Sequence, residues 1–185
     1  MEQTLEQRKD SLKRIVAFGP ESTGKSTLVS SLAQTYKTTF AAEFMREYYT
    51  LHQVREPFYS TPEDLLPIAK GQIALENEAA KGAQNLLFCD TNLLQLEVYA
   101  NYYFGECPTL ISDAVKQHCY DLYLLTFIDV PWQKDQLRDR PLAREKLFVI
   151  FEQTLQKHNL PYIVLKGDQV NRVRQAQLSI QELVS

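Results

Sequence analysis

Four short apolar runs recur along the chain, and each predicts a buried β-strand. They comprise Ile15–Phe18, Leu86–Cys89, Leu122–Leu125 and Tyr162–Leu165. An apolar run without alternating polar residues is typical of a strand covered on both faces, as in a parallel sheet between layers of helices. The segment Thr38–Ala42 is a weaker candidate for a further strand. The pattern therefore predicts a sheet of five strands.

Segments with the periodicity of amphipathic helices separate the predicted strands. Apolar residues recur at helical spacing from Leu28 to Tyr36, Leu65 to Ala80, Asn92 to Phe104, Leu147 to Leu155 and Val173 to Leu183. Strands that alternate with helices favour βαβ units, whose crossover connections make the strands parallel. The predicted fold class is therefore α/β, a five-stranded parallel sheet with helices on both faces.

The composition narrows the class of protein without changing this fold. The chain has 185 residues, 44% of them hydrophobic, and a formal net charge of −3. These values are typical of one ordered domain, which we assign to residues 13–185, after a polar N-terminal tail at residues 1–12 that is frayed or helical. A weakly acidic chain gives no electrostatic reason to bind nucleic acid or membranes, and no apolar run reaches the ~20 residues of a membrane span. Three scattered cysteines without a CxxC pair favour neither a zinc site nor a disulfide scaffold, so a cytoplasmic protein is expected.

A phosphate-binding motif directly follows the first predicted strand. Residues 19–26, Gly-Pro-Glu-Ser-Thr-Gly-Lys-Ser, fit GxxxxGK[ST], and a predicted helix begins at their end. Such a loop turns successive backbone N–H groups towards phosphate oxygens, and its glycines permit the close approach. Lys25 adds a charge for the β- and γ-phosphates, and the Ser26 hydroxyl is a magnesium ligand. We therefore predict a nucleoside triphosphate site formed by Gly19, Glu21, Ser22, Thr23, Gly24, Lys25, Ser26 and Thr27.

Asp90 closes the second apolar run, where the carboxyl end of its strand is expected to lie beside the phosphate loop. This placement is typical of the carboxylate that holds the nucleotide-bound Mg2+ together with Ser26. An aspartate is also a favoured N-cap, and the helix predicted from Asn92 begins shortly after it. Both roles are compatible with the sequence.

Further features distinguish among the proteins that use such a loop. The sequence contains neither an NKxD-like guanine-binding motif nor DxxG after the second apolar run, both of which a GTPase switch requires. A motor or large ATPase needs more chain than 185 residues for its sensor and oligomerisation elements. A small-molecule kinase fits this length.

A kinase also needs a cationic lid over the transferring phosphoryl group. The candidate lid is Gln136–Arg144, between the third apolar run and the helix marked by Leu147. Its guanidinium groups, which suit bidentate binding of phosphate oxygens, belong to Arg138, Arg140 and Arg144. The alternative is a solvated charged face.

The acceptor pocket of such a kinase is expected to use residues 42–49, which follow the weak strand. A carboxylate at Glu43 and a guanidinium at Arg46 suit ribose hydroxyls or the new phosphate. The alternative is an ion pair between these two residues at i and i+3 of one helical turn. A flat cationic ring would gain from stacking on one or two aromatic side chains of this region. These aromatic residues are Phe44, Tyr48, Tyr49, Tyr99, Tyr102, Tyr103 and Trp132.

Four segments together resemble one known family. They are residues 19–28 (GPESTGKSTL), 43–48 (EFMREY), 88–92 (FCDTN) and 129–132 (DVPW), the last together with Arg138-Asp139. In order and spacing they are similar to the P-loop ribosylnicotinamide kinase domain that forms the C-terminal part of bifunctional bacterial NAD-biosynthesis regulators. The resemblance covers nearly all of Arg14–Val184, and it implies a P-loop NTPase fold of the nucleoside/nucleotide kinase type. It also implies ATP-dependent phosphorylation of the ribose 5′-hydroxyl of nicotinamide riboside, which yields nicotinamide mononucleotide.

The other activities of those regulators are not expected in this chain. They require an adenylyltransferase domain with an HxGH-type site and often a helix-turn-helix. Here the histidines are isolated, at His52, His118 and His158, and the length leaves no room for another domain.

On this hypothesis each candidate residue has a role. The catalytic candidates are Lys25, Glu43, Asp90 and Arg138, with either Glu43 or Asp90 accepting the hydroxyl proton. Arg140 and Arg144 join the loop in binding the nucleotide, and Ser26 with Asp90 binds the metal. The substrate-binding candidates are Glu43, Arg46, Tyr48, Asn92 and Trp132. The expected cofactors are ATP and Mg2+, and the expected partner is a nucleoside-like small molecule rather than nucleic acid or membrane.

Two alternatives stay open at this point. One is a P-loop kinase that phosphorylates another nucleoside or small metabolite. The other is an ATP-binding regulatory module with slow ATPase activity.

Overall fold

The computed structural model describes residues 5–52, 61–130 and 143–184. Its strands are β1 (Lys13–Phe18), β2 (Phe40–Ala41), β3 (Leu86–Asp90), β4 (Leu122–Thr126) and β5 (Tyr162–Leu165). Its helices are α1 (Lys25–Tyr36), α2 (Phe44–Leu51), α3 (Pro62–Gly82), α4 (Leu93–Phe104), α5 (Thr109–Gln117), α6 (Arg144–Lys157) and α7 (Gln169–Val184).

The strands form one parallel sheet in the order β2-β3-β1-β4-β5. Val16 and Phe18 of the central strand pack in a core cluster with side chains of α4 and α6. Ile15 and Ala17 pack on the other face, in a cluster with side chains of α1 and α7. Both faces of β1 are therefore buried, which explains why the strands are apolar without alternation. The predicted class, a five-stranded parallel α/β sheet with helices on both faces, is confirmed.

The sequence pattern predicts the strands better than the helices. The four apolar runs correspond to β1, β3, β4 and β5, and the weak candidate is the two-residue β2. Helices α2 and α5 are missing from the sequence-based expectation because they have only eight and nine residues, too few for a clear period. Within the described ranges, no helix combines the length and the apolar character needed to cross a membrane.

Residues 5–12 pack against the domain without forming a helix. Leu5 is buried in a cluster with side chains of α3, α4 and α5. The Arg8 backbone N–H donates to Asn77 Oδ1 at 2.7 Å, and the Gln7 amide donates to Glu76 Oε1 at 2.8 Å. This segment therefore differs from the expected frayed or helical tail, because α3 supplies partners for its apolar and polar groups.

Close packing between α2 and α3 positions the segment predicted to form the acceptor pocket. Gly71 of α3 lies against the Phe44 ring, and a Cβ added at Gly71 would lie 2.0 Å from the nearest ring carbon. The Gln72 side chain accepts from the Phe44 N–H at 2.8 Å and donates to the Ala42 carbonyl at 3.2 Å. These contacts hold the first turn of α2 on α3.

We predict that Gly71→Ala lowers the free energy of unfolding by about 1–3 kcal/mol, the usual cost of overpacking a core. Helix propensity alone would raise it by roughly 0.5–1 kcal/mol, so the expected sign depends on the contact with Phe44. Ala74→Gly is the matched control, since Ala74 is exposed on the same helix and reports propensity alone. Urea denaturation measures both, and a Gly71→Ala variant at least as stable as the wild type would contradict this packing.

Candidate active site

The phosphate-binding loop adopts a conformation that depends on its two glycines. Gly19 has φ 128° and Gly24 has φ 82°, values that other residues rarely adopt. A Cβ at Gly19 would also lie 3.1 Å from Thr126 Oγ1, so the loop packs directly on the end of β4. Gly24 is the N-cap of α1, and the positive end of that helix dipole therefore lies at the loop, where an anion is stabilised.

The Lys25 side chain is buried within this loop. Its Nζ donates to the carbonyl of Gly19 at 3.0 Å and to that of Pro20 at 2.8 Å. Burial lowers the pKa of Lys25, and the nearby carboxylates of Glu43 and Asp90 oppose that shift. Because a buried ammonium needs compensating charge, these acidic neighbours favour its protonated form.

Asp90 at the end of β3 interacts by hydrogen bonding with Ser26 of the loop. Burial raises the pKa of Asp90, the Glu43 carboxylate raises it further, and Ser26 and Lys25 oppose the shift. The carboxyl group is buried, and within the described part of the chain its Oδ1 meets no hydrogen-bond partner. The alternative role as a helix cap is not observed, because the N-cap of α4 is Asn92.

These two groups fit a magnesium ion. Among residues 5–52, 61–130 and 143–184, no cluster of three or more His, Cys, Asp or Glu side chains could hold a metal by itself. Mg2+ characteristically takes one or two protein oxygens and completes its shell with water and substrate phosphates. An unpartnered buried carboxylate oxygen on Asp90, beside the Ser26 hydroxyl, provides that donor set.

A cavity of about 260 Å³ lies between the phosphate loop and helices α2, α3 and α4. Glu43 and Arg46 line it, and they also form the expected i, i+3 pair, with Arg46 Nε donating to Glu43 Oε2 at 2.9 Å. The ion pair and the position in the cavity therefore coexist. Three tyrosines contribute aromatic walls, with the Tyr99 and Tyr103 rings stacked at a centroid separation of 5.9 Å and Tyr49 nearby on α2.

Two predicted substrate contacts lie outside the residues that line this cavity. The Tyr48 hydroxyl donates to Asp64 Oδ1 at 2.6 Å, and the adjacent Tyr49 takes the place in the cavity. Asn92 accepts from the Gln95 N–H at 3.1 Å, and its amide donates to the Tyr123 hydroxyl at 3.2 Å. Asn92 also lines a small adjoining pocket with Glu43 and Tyr99, and the contact of Tyr48 and Asn92 with substrate stays a prediction.

Most of the predicted lid lies outside the described residues, including Arg138 and Arg140, and so does the predicted substrate contact Trp132. Arg144 is described, as the first residue of α6. Its guanidinium donates to the Val130 carbonyl at 3.1 Å and to the Ser22 carbonyl at 3.4 Å. Arg144 thus connects the phosphate loop with the segment after β4, and its contact with nucleotide stays a prediction.

Three buried polar side chains around the loop were missed by sequence reasoning. Gln95 Oε1 accepts from the Gly19 N–H at 3.3 Å, and the Thr126 hydroxyl is hydrogen-bonded to the Thr23 hydroxyl at 2.6 Å. Arg172 donates to the Thr23 carbonyl. These partners are 76, 103 and 149 residues apart in sequence, and the only available signal is a polar residue within an apolar helix or strand.

A parallel sheet, a glycine loop that opens a helix, and a carboxylate at the next strand end together define a P-loop NTPase. Comparison with known sequences agrees with this class. The sequence profile of a family described as an AAA domain matches residues 14–172, and the chain belongs to this family.

A curated relative adds a more particular similarity. The trifunctional NAD biosynthesis/regulator protein NadR of Escherichia coli strain K12 is 27% identical over 154 residues. The match covers 82% of this chain and 38% of the relative, so this chain spans less than half of that protein's length. The resemblance to bacterial NAD-biosynthesis regulators is confirmed.

Solved structures share the fold. A crystal structure of NadR protein in complex with NR has a TM-score of 0.78 at 21% identity, over 93% of this chain and 49% of that one. A NadR structure in complex with NAD and AMP-PNP gives 0.77 at 21% identity with the same coverage. Thymidylate kinase from Ehrlichia chaffeensis gives 0.66 at 14% identity, over 94% of this chain and 100% of that one. These likenesses show that the chain shares the fold of these proteins.

We predict that Asp90→Asn raises the unfolding free energy of the nucleotide-free protein at neutral pH by about 1 kcal/mol or more. Burial raises the pKa of Asp90, so the folded state binds its proton more tightly than the unfolded state does. Ionisation therefore destabilises the fold, and wild-type stability falls as pH rises above the ordinary aspartate range. Asp90→Asn has no carboxyl group to ionise, so its free energy of unfolding is not expected to show this fall with rising pH. Urea denaturation of both proteins across a pH series measures the difference.

Asp113→Asn is the control for this charge effect, because Asp113 is exposed and pairs with Lys116 at the surface. Its effect is expected to stay within ~1 kcal/mol. Identical denaturation midpoints for wild type and Asp90→Asn at every pH would contradict an unfavourable buried carboxylate.

Proposed function

We propose that this domain transfers the γ-phosphoryl group of ATP to the ribose 5′-hydroxyl of nicotinamide riboside. The products are ADP and nicotinamide mononucleotide. The observation that carries the proposal is a phosphate loop joined to a cavity with carboxylate and aromatic walls. The NAD-biosynthesis name of the E. coli relative and the NR complex of a protein with a similar fold support the choice of acceptor.

The loop residues bind the nucleotide. Backbone N–H groups at the start of α1 and the Lys25 ammonium suit the triphosphate of ATP, as the AMP-PNP complex of a similar fold also suggests for the site. Ser26 and Asp90 hold Mg2+, which when bound neutralises phosphate charge. Lys25 neutralises further charge on the phosphoryl oxygens as the transferring group separates from ADP.

The acceptor cavity suits a flat cationic base attached to a ribose. The pyridinium ring of nicotinamide riboside carries a positive charge, and Tyr49, Tyr99 and Tyr103 offer aromatic faces to it. The carboxylate of Glu43 lines the same cavity and can accept a hydrogen bond from a ribose hydroxyl. This combination favours a nucleoside over an acceptor that has no flat aromatic base.

The proposed reaction is an in-line displacement. The 5′-oxygen of the acceptor forms a bond to the γ-phosphorus. The bond from that phosphorus to the β–γ bridging oxygen breaks, and ADP leaves with the electron pair. The hydroxyl proton passes to a carboxylate of the protein. Because the transition state is loose, orientation and charge neutralisation contribute more than the strength of the base.

Glu43 is the better candidate for the proton acceptor. It lines the cavity in which the acceptor would lie, whereas Asp90 is 3% exposed and bonded to Ser26. Glu43 therefore accepts the proton, and Asp90 binds the metal. The sequence alone did not decide between these two residues.

Release of ADP from Mg-ATP in the presence of candidate acceptors tests the proposed function. Nicotinamide riboside is expected to stimulate release, and Lys25→Ala is expected to reduce the stimulated kcat by at least about 100-fold. Lys9→Ala is the control, since Lys9 is exposed and does not line the cavity. Stimulation only by another nucleoside, by thymidylate or by shikimate would identify a kinase with a different acceptor. Hydrolysis that no acceptor stimulates would instead support a regulatory ATPase.

We predict that Glu43→Gln and Asp90→Asn fail in different ways. Glu43→Gln lowers kcat by about 100-fold, the scale of a lost general base, while the KM for Mg-ATP stays near the wild-type value. Asp90→Asn raises the Mg2+ concentration that gives half-maximal activity. Steady-state kinetics over a magnesium series separates these effects, with Glu47→Gln as control because Glu47 is exposed on the same helix as the Glu43 cap. A Glu43→Gln enzyme with wild-type kcat would exclude Glu43 as the proton acceptor.

A further inference from the structure

Arg172 of α7 contacts three separate segments at the carboxyl end of the sheet. Its side chain is almost fully buried, at 1% exposure. Nε donates to the Gly167 carbonyl at 2.8 Å, and Nη2 donates to the Phe127 carbonyl at 2.8 Å. Nη2 also pairs with the Asp129 carboxylate, and Nη1 donates to the Thr23 carbonyl. One guanidinium therefore joins the phosphate loop to the segments that follow β4 and β5.

The charge of this guanidinium is compensated within the same cluster. Asp129 pairs with Arg172 through Oδ1 and accepts from the Gly167 N–H through Oδ2 at 2.6 Å. Burial alone would raise the pKa of Asp129, but these hydrogen bonds and the guanidinium hold it below the ordinary value. A charged partner orients the planar fork, so its remaining donors have fixed directions.

Thr23, the loop residue that Arg172 contacts, is hydrogen-bonded through both its side-chain hydroxyl and its backbone carbonyl. Thr23 is fully buried, and its hydroxyl bonds to the Pro20 carbonyl at 2.8 Å and to the Thr126 hydroxyl at 2.6 Å. Its carbonyl accepts from Arg172. The residues on either side have positive φ, 56° at Ser22 and 82° at Gly24. A non-glycine residue keeps such a conformation only where surrounding contacts enforce it.

The direction of the Thr23 carbonyl also determines the direction of the next N–H. In a planar trans peptide the carbonyl oxygen and the amide hydrogen point to opposite sides. Since the Thr23 carbonyl is turned towards Arg172, the Gly24 N–H points away from Arg172, and Thr23 and Gly24 both line the cavity. We propose that Arg172 is a positioning residue, which holds the Thr23–Gly24 peptide so that the loop presents its N–H groups to the nucleotide phosphates. This inference deepens the proposed function and rests on it only where nucleotide binding is measured.

Hydrogen exchange without nucleotide tests the positioning itself. In Arg172→Lys the compact ammonium cannot reach Thr23, Gly167 and Phe127 together. We expect amide exchange in the peptide covering residues 19–27 to become at least about tenfold faster, the scale of one lost buried charged hydrogen bond. Exchange in β3 and in α3 is expected to stay unchanged, because a general loss of stability is not the mechanism.

Arg174→Lys is the matched control, an equal substitution two residues further along α7 at an exposed position. It is expected to leave exchange in the loop unchanged. Asp129→Asn provides a second variant, which keeps a hydrogen-bond acceptor but removes the charge that orients the guanidinium. It is expected to accelerate exchange in the same peptide by a smaller factor.

Calorimetry with Mg-ATP then links positioning to binding. Arg172→Lys is expected to raise the Kd for Mg-ATP by about tenfold or more. The KM for the acceptor, measured by steady-state kinetics, is expected to stay unchanged. Wild-type exchange and wild-type Mg-ATP affinity in folded Arg172→Lys, or in Asp129→Asn where the lysine variant does not fold, would overturn the inference. A wild type that does not bind Mg-ATP would instead overturn the proposed function, while faster loop exchange in the variants would still support the positioning role.

Discussion

Helices cover both faces of the parallel sheet, and this burial leaves little room for polar side chains within the strands. Polar groups therefore collect where the strands end. Asp90 ends β3, Thr126 ends β4, and the phosphate loop follows β1. Since parallel strands have their carboxyl ends at the same edge, these groups meet there without any further arrangement. The site depends first on this burial and only then on its individual contacts.

Two buried charged clusters show how the same fold uses ionisable groups in different ways. Glu76 is fully buried and accepts hydrogen bonds from Gln7, Arg14 and Tyr120, so its charge and its lone pairs are satisfied by the protein. Such a network stabilises the packing of the N-terminal segment on α3. The Asp90 carboxylate near Lys25 differs from Glu76, because its Oδ1 meets no hydrogen-bond partner in the described part of the chain. A buried carboxylate oxygen without a partner is unfavourable by itself and favours binding of a cation.

Local sequence patterns predicted the sheet, the phosphate loop and the position of Asp90 at a strand end, since each of these features follows from a continuous stretch of residues. They were less successful around the acceptor cavity. Helix α2 is short, and the pattern does not show which of its aromatic residues faces the cavity. Tyr49 lines the cavity, and the contact of Tyr48 with substrate stays a prediction. A difference of one residue corresponds to about 100° around a helix. In α2 it separates Tyr48, which bonds to Asp64 of α3, from Tyr49, which lines the cavity.

The sequence by itself determined the strands, the longer helices and the loop conformation that its glycines permit, because hydrophobic periodicity and glycine placement act over a few neighbouring residues. Only the tertiary structure decided which distant side chains support that loop. Arg172 lies 149 residues from Thr23, and its guanidinium reaches the loop because α7 docks beside α1 on one face of the sheet. Hydrophobic periodicity shows which side of a helix is apolar, but it does not show which other helix that side will contact. For that reason the support of the loop became visible only once the helices were packed.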